Sequence, residues 1–250
     1  VSEPLDAETE AKLLALFPKI LARHHTDRMD MLLWRGETGA AERLLPRLPE
    51  DWQRLARARM GLRASADGVD GLIAAVPSGL ANDPGLAWER YLWRKRKGRA
   101  ADALVLLRER SVSAEALGDP ERWAAERNWQ ARDLMRAGKG QAAYEVASRH
   151  FLQPGQSSYA DLEWLSGYLA LRFLNDPALA LDHFTRFRMA VSTPISLGRA
   201  GYWEGRALEA MGAKVDAQAA YEFGAEFQTS FYGLLAAEKA GLPMDPALMG

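Results

Sequence analysis

Two helical stretches joined by Gly212-Ala213 constrain the fold of this chain more than any other feature. In the first, Ala200, Trp203, Ala207 and Ala210 recur at offsets of three, four and three, which places them on one helix face. Gly212-Ala213 ends that helix. In the second, Ala217, Ala220, Tyr221 and Gly224 recur at the same helical offsets, so two helices of similar length face each other across a short turn. A small residue on each helix opposite an aromatic on its partner lets the two backbones approach closely.

The same unit is legible upstream. Trp164, Gly167, Ala180 and Phe184 align with Trp203, Gly205, Ala219 and Tyr221 to within one or two positions. Asn175-Asp176-Pro177 divides the upstream pair, with Asp176 as N-cap and Pro177 in the first helical position, where no amide is needed. Turns marked by Gly39, Gly68, Gly98, Gly138, Asp176 and Gly212 fall at intervals of 29, 30, 40, 38 and 36 residues. Such intervals suit an α-solenoid of about six tetratricopeptide-like hairpins, each burying its apolar face only against its neighbours. The expected fold is therefore all-α over residues 1–250, with a weaker junction near 111–119 where the periodicity fades.

Further landmarks fit the helical reading. Leu13, Leu16, Phe17, Ile20 and Leu21 form one helix face near the start, and Gly36 to Ala41 turns into a helix carrying Leu44 and Leu45. Asn82-Asp83-Pro84 caps a helix with Trp88, Tyr91 and Leu92 inward, and Asp119-Pro120 starts a long helix through Trp123 and Trp129. No two-residue strand period persists. No run of about eighteen apolar residues exists, so no membrane span is expected.

Composition narrows the chemistry. A net charge of -1 gives no overall pull toward nucleic acid, and the absence of Cys removes disulfides, thiolate metal sites and cysteine nucleophiles. His24 and His25 diverge by about 100° on a helix and make a poor chelate; with His150 and His183 they complete the histidines, and no metal or cofactor is expected. The pairs Glu121/Glu126 and Glu204/Glu209 sit on helices where Arg stands four residues from Glu126 and three from Glu209, and they read as solvated ion-pair faces. No phosphate loop, nucleophile elbow or zinc-protease signature is present, so no catalytic residue is assigned.

Two features carry binding readings. Arg94, Lys95, Arg96, Lys97 and Arg99, beside Trp93, either complement a helix dipole or contact an anionic polymer. Trp164, Tyr168, Tyr202 and Trp203 either pack between helices or form a sugar-stacking platform.

In order along the chain, Asp119-Pro120-Glu121-Arg122-Trp123, Tyr159 to Tyr168, Asn175-Asp176-Pro177, Ser192 to Ser196, Tyr202 to Ala207 and Phe231 to Glu238 together resemble the N-terminal superhelical region of soluble lytic murein transglycosylases. The resemblance implies a periplasmic lyase that cleaves the MurNAc–GlcNAc bond of peptidoglycan to 1,6-anhydro products. It implies a scaffold whose partners are glycan strands and its own C-terminal lysozyme-like domain, expected after residue 250. The Glu-Ser motif of that domain is not found here, so no catalytic residue carries over. Phe231, Tyr232 and Gly233 carry over as a structural helix start, with Thr229 or Ser230 as the cap. The alternative function is a free-standing tetratricopeptide-like module that binds a protein.

Overall fold

A computed structural model of the chain describes residues 5–246; residues 1–4 and 247–250 of the expected 1–250 span lie outside it. Among the described residues there are sixteen α-helices and no strand, so the all-α expectation holds. None of these helices is long and apolar enough to cross a membrane. The chain divides into two compact units between Gly118 and Asp119.

The first unit comprises α1 (Ala7–Leu16), α2 (Pro18–Ala22), α3 (His25–Arg35), α4 (Thr38–Leu44), α5 (Glu50–Ala64), α6 (Val69–Ala74), α7 (Pro84–Arg96), α8 (Ala100–Arg110) and α9 (Ala114–Leu117). The single helix expected through Leu13 and Leu21 is broken. Pro18 has no N–H to donate and disfavours helical geometry at Phe17, which takes φ -129° and ψ 46°. Leu16, Phe17 and Ile20 consequently lie exposed instead of inward. The unit's core forms around Met29, Leu32, Ala41 and Leu44, and around Leu55, Leu62, Val69 and Leu86. Charged side chains thread it. Arg59, 1% exposed, bonds to Asp30 at 2.5 Å and lies 5.3 Å from the centre of the Trp34 ring.

The second unit comprises α10 (Pro120–Arg136), α11 (Gly140–Ser148), α12 (Tyr159–Leu169), α13 (Pro177–Met189), α14 (Pro194–Ala210), α15 (Lys214–Ala225) and α16 (Phe231–Ala240). From α11 on, each helix packs on the one before it, and α16 packs on α14 as well. The core cluster of α12 to α16 is Ala170, Ala180, Phe184, Tyr202, Trp203, Ala207, Ala217, Tyr221 and Ala236.

One turn recurs in both units. Gly36, Gly98, Gly138 and Gly212 have φ between 71° and 79°, and the amide after each reaches back to the carbonyl five residues earlier: Glu37 to Leu32, Arg99 to Arg94, Lys139 to Leu134, Ala213 to Leu208. This is the Schellman closure, which satisfies carbonyls left open at a helix end and suits glycine at its left-handed position. Five residues past each glycine stands a buried alanine, Ala41, Ala103, Ala143 or Ala217. Asn175, φ 55°, takes the glycine's place after a π-helical turn, Ala170–Leu174, and Ala180 is its buried alanine.

These hydrogen bonds correct three register assignments. The first turn is at Gly36, with Gly39 inside α4. Ala217 is the counterpart of Ala180, whereas Ala219 is exposed. Ala210 is also exposed, because it lies in the last turn of α14, beyond the face that α15 covers.

Candidate functional site

The basic run closes α7. Arg94, Lys95 and Arg96 occupy its last turn, where cations oppose the negative end of the helix dipole. Arg94 Nη1 donates to the Asp102 carbonyl at 2.7 Å, and Arg96 Nη2 donates to the Leu62 carbonyl at 2.7 Å. Arg99 Nε donates to Asp102 at 2.7 Å and its guanidinium lies 5.7 Å from the Trp93 ring centre. Three of the five cations therefore hold the α7–α8 turn and the end of α5 together. Lys95 is half-buried and Lys97 exposed.

The aromatic set gathers on α12, α14 and α16. Trp203, 8% exposed, meets Trp164 edge-on at 6.1 Å, Tyr168 at 5.3 Å and Tyr202 at 5.4 Å between ring centres. Trp164 and Tyr168 stack at 5.5 Å. Tyr232 closes the group at 5.5 Å from Tyr202. Edge-to-face and offset contacts of this kind stabilise a core beyond the area they bury. Glycines make room: a methyl on Gly167 would lie 2.6 Å from the Phe184 ring, and one on Gly205 would overlap the Tyr221 ring. Trp164 and Tyr168 remain half-buried.

Arg199 on α14 sits over two of these rings, 5.0 Å from Trp164 and 5.4 Å from Tyr232. Its Nε, together with Nε1 of Trp164 and of Trp203, is buried without an acceptor among the described residues. Arg206, two turns further, donates to the Tyr202 hydroxyl at 2.9 Å and pairs with Glu209.

Phe231, Tyr232 and Gly233 begin α16. Ser230 caps it, accepting from the Gly233 amide at 3.1 Å, and a side chain on Gly233 would run into the Phe227 carbonyl. Phe231 is exposed and borders an open apolar groove with Leu234, Leu242 and Met244.

The sequence reading missed a buried polar network. Glu163, 4% exposed, accepts from His183 Nδ1 at 2.6 Å, His150 Nε2 at 3.2 Å and Arg186 Nε at 3.0 Å. The Leu152 amide donates to His150 Nδ1 at 3.0 Å, which assigns the ring proton of His150 to Nε2. His183 Nε2 lies 3.0 Å from the Tyr144 hydroxyl. Burial alone would raise the Glu163 carboxyl; the hydrogen bonds from His150 and His183 and the charge of Arg186 outweigh it and hold the group at about 2. Burial raises Tyr144 above the usual tyrosine range. The Glu163 carboxylate and the Tyr144 hydroxyl bracket His183, so the three side chains tie α12, α11 and α13 together.

Glu204, read above as solvated, is also buried, and its carboxylate accepts from Arg188 Nη1 at 3.0 Å. Arg188 in turn stacks 3.8 Å from the Phe223 ring centre. Glu209 keeps the surface role, holding Lys239 at 3.0 Å and accepting from Tyr221 at 3.0 Å. Glu121 is exposed and accepts from the Ser157 amide at 2.9 Å. No group of three or more His, Asp or Glu side chains among the described residues is placed to hold a metal ion. Comparison with protein-family models, with curated proteins and with solved structures finds no match to this chain.

Proposed function

We propose that the chain is a non-catalytic superhelical scaffold of a periplasmic lytic transglycosylase, built from tetratricopeptide-like hairpins. The observation that supports it best is the repeated register of the second unit. In α12–α13 and in α14–α15, a left-handed turn residue is followed five places on by a buried alanine, and a helix-one glycine receives a helix-two aromatic. This pairing, Gly167 with Phe184 and Gly205 with Tyr221, belongs to the same stretch whose motifs resemble the transglycosylase superhelix, ending in Ser230-Phe231-Tyr232-Gly233. In this reading the scaffold positions peptidoglycan strands for a lysozyme-like domain that supplies the acid–base chemistry. The side chains described here supply rigidity and contact surface.

A paired assay on purified sacculi tests it, with residues 1–250 in one arm and the full-length gene product in the other. Release of 1,6-anhydro-muropeptides by the full-length product alone is the expected result. No release by the full-length product rejects the reading in favour of a free-standing repeat protein that binds a protein partner.

A further inference from the structure

We propose that the chain associates head to tail with a second copy of itself, the exposed Leu16, Phe17 and Ile20 of one protomer filling the groove along α16 of the next. The groove comes first. Phe231, Leu234, Leu235 and Glu238 recur at offsets of three, one and three, the spacing of one helix stripe, and all four line it. The residues between them, Gly233, Ala236 and Ala237, are buried. Beyond the helix, Leu242 and Met244 complete the lining. Gln228 fixes that segment, donating from Nε2 to the Pro243 carbonyl at 3.2 Å and accepting from the Asp245 amide at 2.8 Å. The result is an open apolar groove of about 420 Å³, already formed in the single chain. Phe231 is 69% exposed in it, and apolar surface gathered in this way gains free energy when another apolar surface covers it.

Charge narrows the occupant. Glu238 stands in the last turn of α16, where the negative end of the helix dipole disfavours it, and Glu226, two residues before Gln228, is exposed as well. Neither has an ion pair among the described residues, and Lys239, next to Glu238, is held by Glu209. The groove therefore suits apolar side chains accompanied by cations. One stretch of the same chain has that make-up. Leu16, at 70%, Phe17 and Ile20 are exposed, and so are Lys19 and Arg23, which have no carboxylate partner among the described residues. The break at Pro18 presents them: the Leu21 amide donates to the Phe17 carbonyl at 3.0 Å, so one closed turn links Phe17 to Ile20. Among the described residues, exposed large apolar side chains fall within three places of one another only here and along the groove; Val105, Met189 and Val215, for example, stand singly. Two unlike surfaces, basic on one side and acidic on the other, make a heterologous contact, which repeats from copy to copy or closes into a ring.

The test is sedimentation velocity of residues 1–250 over a range of concentrations, at low and at high salt. A sedimentation coefficient that rises with concentration, and rises less at high salt, is expected. Phe17→Ser and Phe231→Ser each alter an exposed side chain, and each should weaken association about tenfold or more. Glu238→Lys should weaken it about threefold at low salt and leave it unchanged at high salt. Mixing decides the geometry. The Phe17→Ser chain keeps an intact groove and the Phe231→Ser chain an intact Leu16, Phe17 and Ile20, so a mixture of the two should recover a dimer of one of each and grow no further. Monomer at every concentration overturns the proposal. Association lost in Phe231→Ser and kept in Phe17→Ser means that groove meets groove, and overturns the pairing with Leu16, Phe17 and Ile20. A mixture that stays monomeric, although both variants keep the helical circular dichroism of the parent, overturns it too. The concentration series uses unaltered protein, so a variant that misfolds leaves the proposal open to refutation.

Discussion

A methyl group on Gly201 would lie 2.5 Å from Cα of Gly224, so the backbones of α14 and α15 touch where these two residues meet. The amide nitrogen of Gly224 and the carbonyl of Ala220 are equally close, at 2.6 and 2.8 Å. Backbone has no rotamer with which to yield. Gly201→Ala therefore forces the helices apart. Overpacking of about 1–3 kcal/mol outweighs the gain in helix propensity, which is about 1 kcal/mol. Gly71→Ala in α6 has the opposite sign, because a methyl there meets nothing within 4 Å. Urea melts should show the first variant less stable than the parent and the second more stable by about 0.5–1 kcal/mol. Equal stabilities would mean that α14 and α15 do not touch at these glycines.

The two buried glutamates of the second unit respond to pH in opposite directions. Glu163 has its folded pKa lowered from 4.5 to about 2, so it stabilises the fold above pH 4.5. That contribution is lost as the pH falls from 4.5 toward 2. Glu163→Gln removes an acceptor from His150, His183 and Arg186 together, and should cost about 3 kcal/mol near neutral pH. Thermal melts of parent and variant should converge as the pH is lowered into that window. A gap independent of pH would show that the charge of Glu163 does not matter.

Glu204 has its pKa raised, first by burial, with the Arg188 charge and hydrogen bond only partly offsetting it. A carboxyl whose folded pKa is raised favours the fold below its unfolded pKa, and that advantage is lost as the pH climbs through the folded value. Glu204→Gln should therefore be tolerated better at pH 7 than at pH 4, relative to the parent. Arg188→Met is the harsher change, because it strands a buried carboxylate and also removes the guanidinium from the Phe223 ring. A loss of about 3 kcal/mol is expected for it at neutral pH. If Arg188→Met and Glu204→Gln melt alike at pH 7, Glu204 has solvent access that its position denies.

The contrast between Glu163 and the helix caps shows what the sequence discloses. Asp83 and Asp176 are legible because a cap and the proline beside it are local: each carboxylate accepts an amide three residues on, from Leu86 at 2.7 Å and from Leu179 at 3.0 Å. The turn glycines are legible for the same reason, although two glycines three residues apart, Gly36 and Gly39, are separated only by knowing which amide reaches the Leu32 carbonyl. Glu163 is illegible because its partners come from α13 and from the loop after α11. His150 and His183 lie 13 and 20 residues away, and no local period links them. Glu204 was misread by the reverse error. Arg206 stands near it in sequence, but the partner that pairs with it is Arg188 on α13, which buries it. The aromatic cluster around Trp203 was half legible: its rings are evident in the sequence, whereas the place of Arg199 over Trp164 and Tyr232 follows only from the packing of α12, α14 and α16.

The basic run separates structural from surface charge within a few residues. Arg96→Ala removes the donor to the Leu62 carbonyl at the end of α5 and should cost about 1 kcal/mol. Lys97→Ala, at an exposed position just past the helix, should stay within about 0.5 kcal/mol of the parent. Denaturation of the two single variants checks the order, and a larger loss at Lys97 would contradict it. Replacing Arg94, Lys95, Arg96 and Lys97 together by Ser therefore confounds binding with folding in a sacculus sedimentation assay. Lys97→Ser alone isolates the contact with an anionic polymer.

The start of α16 gives the sharpest comparison of caps. Ser230 is buried; its Oγ accepts from the Gly233 amide at 3.1 Å and donates to the Phe227 carbonyl at 2.8 Å, so one hydroxyl satisfies two backbone groups. Thr193, exposed at the start of α14, accepts from the Ser196 amide at 3.4 Å. Water can replace the threonine and cannot reach the serine. Ser230→Ala should therefore cost about 2 kcal/mol and Thr193→Ala about 0.5 kcal/mol, the two ends of the usual capping range. Because α16 packs on both α14 and α15, loss of the Ser230 cap should also raise amide hydrogen exchange in residues 231–240 before the rest of the unit opens. Uniform exchange across the second unit in Ser230→Ala would show that α16 unfolds only with its neighbours.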